Sequence, residues 1–202
     1  MTAPTIIEDS YVARGVWPVA GVDEVGRGPL AGPVVTAAVI LPPGLVIDGV
    51  NDSKKLTQHR REELALQIKG ESIAYAYGIV DVDVIEEINI LQAALLAMKI
   101  AVEGLPTAPK IVLVDGNQLP DLPYDAVCIK KGDSASHLIA AASILAKVKR
   151  DAIMQQLHNE YPAYGFNKHK GYGTKVHQDA IKEHGLCQHH RLKFVRRIKC
   201  ER

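Results

Sequence analysis

Apolar residues occur along the chain in runs whose spacing is strand-like in some segments and helical in others. Two nearly continuous apolar runs, at about 16–23 and 32–41, are typical of buried strands, and a glycine-rich loop joins them. A third strand is predicted at 73–79, where large apolar side chains alternate with small ones. Shorter apolar runs predict two further strands, at 110–114 and 125–130.

Helical spacing predicts three helices between these strands. The first begins after Thr57, a suitable N-cap residue, and continues to Lys69. The second has one apolar face, formed by Ile88, Leu91, Leu95, Met98 and Val102. The third extends from Ser134 to about Asn159, with an inner side formed by Leu138, Ala141, Leu145, Val148 and Ala152. Its alanine run at 140–142 predicts close packing on the sheet. This order of elements predicts an α/β fold with a mixed five-stranded sheet flanked by helices.

Composition adds little to this picture except for the cysteines and the termini. The chain has 202 residues, 47% hydrophobic and 23% charged, which is ordinary for a globular protein with one sizeable core. No apolar run reaches the length of a membrane span, and residues 1–10 lack the pattern of a signal peptide. Three cysteines without CxxC spacing indicate reduced thiols. We therefore expect a cytoplasmic protein that is not attached to a membrane.

Charge is distributed unevenly between two parts of the chain. Residues 164–202 contain ten Lys/Arg and three Asp/Glu, whereas residues 1–163 contain 14 basic and 20 acidic side chains. We therefore divide the chain into a core at 1–163 and a basic C-terminal segment at 164–202. A basic segment beside an acidic body favours a polyanionic partner, although a solvated basic tail has the same composition.

The octapeptide at 21–28, Gly-Val-Asp-Glu-Val-Gly-Arg-Gly, contains the densest candidate chemistry. Asp23 and Glu24 are adjacent carboxylates between two apolar strands, where uncompensated charge is costly and a cation would offset it. Arg27, between Gly26 and Gly28, can present N–H groups and a guanidinium to a phosphate. Such a set of residues suits phosphodiester chemistry. A solvated turn is the alternative.

Two further carboxylates, Asp115 and Asp133, occupy the ends of predicted strands, where sites form in α/β sheets. Each could instead have a local role, Asp115 in an Asx turn and Asp133 as a helix N-cap. Together with Asp23 and Glu24 they provide the hard oxygen ligands of a two-metal site. Adjacent residues of a regular strand point to opposite faces. The strand must therefore end or bulge at Glu24, which the following glycines favour, or Glu24 must reach the site from the strand edge.

Several motifs, in this order along residues 18–194, resemble the bacterial ribonuclease HII family, the type 2 ribonucleases H. They are the octapeptide at 21–28, Asp-Ser-Lys-Lys-Leu at 52–56, Asp-Gly-Asn at 115–117, Lys-Gly-Asp at 131–133, Ala-Ser-Ile-Leu-Ala-Lys-Val at 142–148 with Arg150-Asp151, and His-Lys-Gly-Tyr-Gly-Thr at 169–174. The resemblance implies a ribonuclease H-like fold with a small C-terminal helical appendage. It also implies endonucleolytic cleavage of RNA in RNA–DNA hybrids and cleavage 5′ of a single ribonucleotide in duplex DNA, which leaves 5′-phosphate and 3′-hydroxyl ends.

The resemblance also implies roles for individual residues. Asp23, Glu24, Asp115 and Asp133 match the catalytic carboxylates, which bind two divalent ions, Mg²⁺ or Mn²⁺. The substrate-binding positions are implied to be Gly26, Arg27, Gly28, Asp52, Ser53, Lys54, Lys170 and Tyr172. Tyr172 matches the tyrosine that stacks on the sugar at the ribo-to-deoxy junction. The family commonly has a serine where this chain has Lys193, which affects one local contact.

The expected partners are RNA–DNA hybrids and duplex DNA that contains ribonucleotides, and we expect the protein to act as a monomer. Phosphate contacts are predicted for six basic residues of the C-terminal segment: Lys168, Lys170, Arg191, Lys193, Arg196 and Arg197. His169 could assist proton transfer or have a structural role. Three rival functions are a junction resolvase-like metal nuclease, a non-catalytic nucleic-acid-binding module, and a metal-independent glycosidase with two carboxylates.

Overall fold

A mixed sheet of five strands forms the centre of the molecule in a computed structural model that describes residues 2–196. The strands are β1 (Val19–Val25), β2 (Val34–Ile40), β3 (Ala74–Val80), β4 (Ile111–Asp115) and β5 (Asp125–Ile129). Their order across the sheet is β3-β2-β1-β4-β5, with β1 antiparallel to β2 and parallel to β4. The predicted strands and the mixed sheet are confirmed.

Helices cover both faces of this sheet and form most of the C-terminal segment. They are α1 (Ile6–Ala13), α2 (Gln58–Glu71), α3 (Val82–Glu103), α4 (Gly132–Ala135), α5 (His137–Glu160), α6 (Phe166–His169), α7 (Lys175–His184) and α8 (Leu192–Val195). Thr57 caps α2 as predicted, because its side chain accepts a hydrogen bond from the amide of Arg60. Among residues 2–196, no helix combines the length and the apolar character that a membrane span requires.

The third predicted helix is divided into two. Ser136 has extended backbone angles, so that the short helix α4 ends before it, and its side chain caps α5 by accepting from the amide of Ile139. Leu138, Ala141 and Leu145 are buried as predicted. The prediction for Ala152 was wrong, since this residue is exposed. At this end of α5 the buried side is the one that packs on the C-terminal segment, through Met154 and Leu157.

Small residues set the distance between the helices and the sheet. The alanines at 140–142 are fully buried against the sheet, which confirms the predicted packing role. On the other face, a Cβ atom on Gly78 of β3 would lie 1.8 Å from the carbonyl oxygen of Ala97 in α3. The buried side of α3 is consequently formed largely by alanines, and the predicted face residues Leu91 and Leu95 are half-buried.

The C-terminal segment has its own apolar cluster, in which Phe166 and Ile181 pack with Met154 of α5 and with Ala31 from the loop between β1 and β2. A single β-bridge joins Ala31 to His190. The glycine-rich loop therefore lies between the sheet and this segment. The division of the chain at residue 163 remains a prediction. Cys128 and Cys187 are free thiols, and Cys200 lies outside the described residues.

Candidate active site

Two of the predicted carboxylates lie side by side at the carboxyl ends of parallel strands. Val22 of β1 pairs with Val114 of β4, so that the next residues, Asp23 and Asp115, are neighbours at the same edge of the sheet. Asp23 is buried, and its Oδ1 accepts a hydrogen bond of 2.7 Å from the amide of Glu24. The sheet topology thus brings together acidic residues that are 92 positions apart in the sequence.

Glu24 reaches the site from the edge of a regular strand. The register of β1 with β2 is unbroken through Val25, so the expectation that the strand ends or bulges at Glu24 was wrong. Asp23 faces α5, where the Ser143 hydroxyl partly offsets the rise in the pKa of Asp23. Glu24 points to the opposite face, and its longer side chain lines both the cleft beside Asp23 and a narrow pocket beside α3. Chain length therefore allows adjacent residues to serve one site.

The fourth carboxylate is positioned by the turn that follows β5. Asp115 Oδ1 accepts a hydrogen bond of 2.7 Å from the amide of Gly132, which fixes the start of α4 against β4. Asp133, the next residue, is buried, and its Oδ2 lies 3.4 Å from Nζ of Lys54. A Cβ atom on Gly132 would lie 2.5 Å from Cδ1 of Ile139 and 3.2 Å from Oδ1 of Asp115, so glycine allows this turn to pack closely on both side chains.

The carboxylates destabilise each other's charged forms. Burial is the main reason why the pKa of Asp23 lies well above its ordinary value, and the other three carboxylates raise it further. Burial also raises the pKa of Glu24, against the attraction of Arg27, whose Nη1 lies 3.3 Å from Glu24 Oε1. The pKa of Asp115 is raised by burial, although the hydrogen bond from Gly132 opposes the shift.

These features suit a bound cation. Glu24 Oε2 is buried without a hydrogen-bond partner, and burial and mutual repulsion raise the pKa of Asp23, so a cation would stabilise the charged carboxylates. The donor set consists of carboxylate oxygens, which Mg²⁺ and Mn²⁺ prefer. Within the described part of the chain, no three acidic, histidine or cysteine side chains already have the spacing of a completed metal shell. In the chemistry of their donor atoms the carboxylates therefore fit divalent ions.

A cleft of about 170 Å³ opens beside three of the four carboxylates, Asp133 being the one that does not line it. It is lined by Asp23, Glu24, Val25, Ser53, Lys54, Asp115, Ser143, Lys147 and Tyr172. Ser143 and Lys147 were not predicted as site residues, because they occur in a helix whose spacing indicated packing alone. Their polar side chains in an otherwise apolar stretch were the available signal. Nζ of Lys147 donates to Asp151 at 2.6 Å, and burial lowers its pKa.

The two glycines that flank Arg27 have different physical roles. Gly26 has φ +101°, and a Cβ atom there would lie 2.4 Å from Nε of Arg150, so the fold itself requires glycine. Gly28 does not have a positive φ, and a Cβ atom there would meet only the ring of Tyr172, at 3.7 Å. Packing leaves room for a side chain at residue 28, next to the exposed face of Tyr172.

The remaining predicted substrate-binding residues are used partly within the protein. Asp52 Oδ1 accepts from the amide of Lys54, and the buried Ser53 hydroxyl lies 2.9 Å from that of Ser143. Lys54 has the most exposed side chain of the three; although partial burial opposes it, the nearby carboxylates raise its pKa. Nζ of Lys170 donates to the carbonyl of Asn167 at 2.6 Å.

His169 has a structural role in this conformation. Its Nδ1 accepts from the amide of Gly171 at 3.2 Å, which places the proton on Nε2, and Nε2 donates to the carbonyl of Tyr164 at 2.7 Å. Both ring nitrogens are thus occupied. These bonds shape the turn that presents Tyr172.

The basic residues predicted to contact phosphate differ in how accessible they are. Lys168 and Arg196 are exposed, and Lys193 contacts Glu86. The prediction for Arg191 was wrong, because this side chain is fully buried and its guanidinium donates to backbone carbonyls. Arg197 lies outside the described residues.

Comparison with known proteins shows the family to which the chain belongs. The family model described as Ribonuclease HII matches residues 20–199, a range that includes all four carboxylates, the glycine loop and Tyr172. The chain belongs to the ribonuclease HII family. As a ribonuclease HII it is a hydrolase, a nuclease of the ribonuclease H type that acts on RNA–DNA hybrids.

Individual relatives of this ribonuclease HII cover nearly the whole chain. The ribonuclease HII of Caldicellulosiruptor bescii is 50% identical over 95% of this chain and 93% of its own. That of Delftia acidovorans is 56% identical over 88% of this chain and 75% of its own. Among solved structures, ribonuclease H2 from Pyrococcus horikoshii matches with a TM-score of 0.73 at 27% identity, over 89% of this chain and 96% of that one. The ribonuclease H-like fold is therefore confirmed.

Proposed function

We propose that the protein cuts duplex DNA 5′ of a single embedded ribonucleotide, as well as the RNA strand of hybrids, by metal-dependent phosphodiester hydrolysis. The observation that carries this proposal is the space at Gly28, where a residue without a side chain faces Tyr172 beside the carboxylate cluster. A nucleotide sugar placed there would have the metal ligands on one side and an aromatic face on the other.

The residues that would hold the metal are the four carboxylates, Asp23, Glu24, Asp115 and Asp133. Two divalent ions, Mg²⁺ or Mn²⁺, would activate the attacking water and stabilise the leaving 3′-oxygen, which gives 5′-phosphate and 3′-hydroxyl ends. The ligands would come from two strands and a short helix, and backbone amides hold the carboxylates of Asp23 and Asp115 in place. Lys54, which is largely exposed beside Asp133, can approach a phosphate that enters the cleft.

Ribose recognition would come from the glycine loop. Among the described residues, the amides of Arg27 and Gly28 have no hydrogen-bond acceptor, and both residues are exposed. These groups can therefore bind a 2′-hydroxyl or a phosphate oxygen, and the 2′-hydroxyl distinguishes RNA from DNA at a single nucleotide. The ring of Tyr172, 44% exposed, can pack on the next sugar, where a deoxyribose leaves room that a 2′-hydroxyl would fill.

The metal assignment is tested by Asp115→Asn. This change keeps the acceptor for the Gly132 amide but removes a charged ligand, so we expect at least a hundredfold loss of cleavage with hybrid binding retained. Asp125→Asn, an exposed aspartate at the start of β5, is the control. Full turnover by the Asp115 variant would exclude the assignment.

The junction role is tested by Tyr172→Ala and Tyr172→Phe. We expect the alanine variant to lose cleavage at a single ribonucleotide about tenfold more than cleavage of a long hybrid, and the phenylalanine variant to retain both. An equal loss on both substrates would contradict a role at the junction.

That the protein acts as a monomer in the cytoplasm stays a prediction.

A further inference from the structure

Arg191 is a fully buried arginine whose guanidinium donates hydrogen bonds to the glycine loop. Its Nη2 donates to the carbonyl oxygen of Gly26 at 2.6 Å, and its Nη1 to those of Arg27 and Pro29 at 3.1 and 3.0 Å. Nε and Nη2 also both donate to the carbonyl of Gly32. One guanidinium therefore fixes four carbonyl groups of the loop that precedes β2.

Arg150, in α5, also donates hydrogen bonds to this loop. This arginine is also fully buried, and it donates to the carbonyls of Pro33 at 3.0 Å and Ala31 at 3.1 Å. Its Nη1 donates to the carbonyl of Lys170 at 2.9 Å, two residues before Tyr172. The glycine loop and the segment that carries Tyr172 are thus connected through one side chain.

These contacts give the loop a defined polarity. Six of the eight carbonyls in residues 26–33 accept from the two guanidiniums. The amides of Arg27 and Gly28, in contrast, have no acceptor among the described residues, and both residues are exposed. A loop whose carbonyls are held inward presents its N–H groups outward, which is the arrangement that binds an oxygen-rich ligand.

The positive charge of the two arginines adds to this effect. Within residues 2–196, neither guanidinium has a carboxylate at salt-bridge distance. Burial lowers the pKa of Arg150 to about 10 and that of Arg191 to about 9, so both stay charged at neutral pH. Buried charge without a counter-ion is costly for the fold. Because both guanidiniums contact the glycine loop, their positive charge would stabilise an anion bound to the loop amides.

We propose that Arg191 and Arg150 are positioning residues for ribose discrimination, which hold the amides of Arg27 and Gly28 in the geometry that binds the 2′-hydroxyl and its phosphate. This inference rests on the proposed function. Neither arginine touches the substrate; each acts through the loop. Lysine keeps the charge but has one compact ammonium group, which cannot reach the same set of carbonyls.

The experiment measures binding of two duplexes that differ by one 2′-hydroxyl, by Arg191→Lys and Arg150→Lys. All proteins carry Asp115→Asn and are kept in EDTA, so that neither duplex is cut. The ratio of the two dissociation constants is measured together with hydrogen exchange of the peptide covering residues 25–33. Ile68→Ala is the control for loss of stability, because this fully buried residue of α2 belongs to the cluster on the face of the sheet that α5 covers, in which no residue of 26–33 takes part.

For both lysine variants we expect a fall of about tenfold in the preference for the ribonucleotide duplex and faster exchange of the loop amides. The Ile68 variant should keep the preference at a temperature where every protein is folded. Unchanged preference in folded lysine variants would overturn the inference. If the parent protein itself does not prefer the ribonucleotide duplex, the result contradicts the proposed ribose recognition. That outcome differs from a parent that has the preference and lysine variants that keep it, which contradicts only the role of the arginines.

Discussion

Gly26 and Gly28 show how the same residue type can be required by the fold at one position and by the ligand at another. Gly26 has a positive φ and lies against Arg150, whereas Gly28 has open space apart from the ring of Tyr172. Both were predicted to bind substrate, because the sequence cannot distinguish backbone strain from space left for a ligand.

Alanine substitutions at these positions should therefore differ in their effects. We expect Gly26→Ala to lower the free energy of unfolding by about 2 kcal/mol or more, from backbone strain and the clash with Arg150. Gly28→Ala should change it by less than about 0.5 kcal/mol but reduce cleavage at a single ribonucleotide at least tenfold. Chemical denaturation and initial rates measure the two effects. A Gly28→Ala variant with normal cleavage would contradict close approach of the sugar.

The buried charge of Asp23 lowers the stability of the folded protein. In the metal-free protein it is buried among three other carboxylates, so Asp23→Asn should relieve both desolvation and repulsion. We expect this variant to be more stable than the parent in EDTA by about 1 kcal/mol or more, a rise in Tm of a few degrees, while cleavage is lost. Asp125→Asn should leave Tm unchanged. A lower Tm for Asp23→Asn would mean that the carboxylate stabilises the fold.

Arg191 marks the limit of prediction from sequence at this scale. In a basic segment it has the appearance of a phosphate contact, and nothing in its neighbours indicates burial. Its partners are carbonyls of a loop about 160 positions earlier. Asp23 and Asp115, by comparison, were predictable because each ends an apolar run, and the ends of such strands meet.

At the level of whole elements, apolar spacing predicted the strands well and the helices less completely. The five strands are short, and turn residues mark where each of them begins and ends. The helix α1 was not predicted, and Ser136 interrupts a stretch whose apolar spacing is continuous. The regularity of β1 through Val25 was also not expected, since the glycines after it indicated a break.

A chain of buried histidines connects α7 to the turn that carries Tyr172. The Nδ1 of His190 accepts from the amide of Cys187, so its Nε2 donates to Nε2 of His177 at 3.1 Å. The Nδ1 of His177 then donates to the carbonyl of Tyr172 at 2.9 Å. Both histidines must be neutral for this chain to form.

The neutral state of His190 predicts a pH dependence of stability. Burial lowers its pKa to about 4, from 6.5 in the unfolded chain. Below pH 6.5 the unfolded state therefore binds more protons, and the stability that His190 contributes is lost as the pH falls from about 6.5 to about 4. The loss should be about 3 kcal/mol.

His190→Gln removes this titration and isolates it from that of the buried carboxylates, whose raised pKa values act in the opposite direction. The difference in unfolding free energy between parent and variant should shrink as the pH is lowered from 7 to 4. A difference that stays constant over this range would show that His190 is not held neutral in the folded protein.

At the scale of the whole molecule, an acidic centre lies between the sheet and a basic C-terminal segment. In the proposed function the carboxylates bind cations and the exposed lysines of the segment contact the phosphates of a duplex. Charge counts indicate the uneven distribution of charge along the chain. They could not predict which basic residues are available, because Arg191 serves the fold and Lys168 remains exposed.

Duplex binding should therefore weaken as salt is raised, with a linear fall of the logarithm of the association constant against the logarithm of salt concentration. Lys168→Gln should reduce this slope by about one, through the loss of one phosphate contact. Lys110→Gln, an exposed lysine just before β4 and at the opposite end of that strand from Asp115, should leave it unchanged. Equal slopes for all three proteins would remove Lys168 from the interface.

In the proposed function, the carboxylate cluster and the glycine loop act together on a ribonucleotide in duplex DNA. The most direct measurement is cleavage of three labelled duplexes, all-DNA, DNA with one ribonucleotide, and an RNA–DNA hybrid, each with Mg²⁺, Mn²⁺ or EDTA. We predict metal-dependent cutting of the hybrid and cutting on the 5′ side of the single ribonucleotide, with the all-DNA duplex intact. Cutting of the hybrid alone, or of all-DNA duplex at a similar rate, would contradict it.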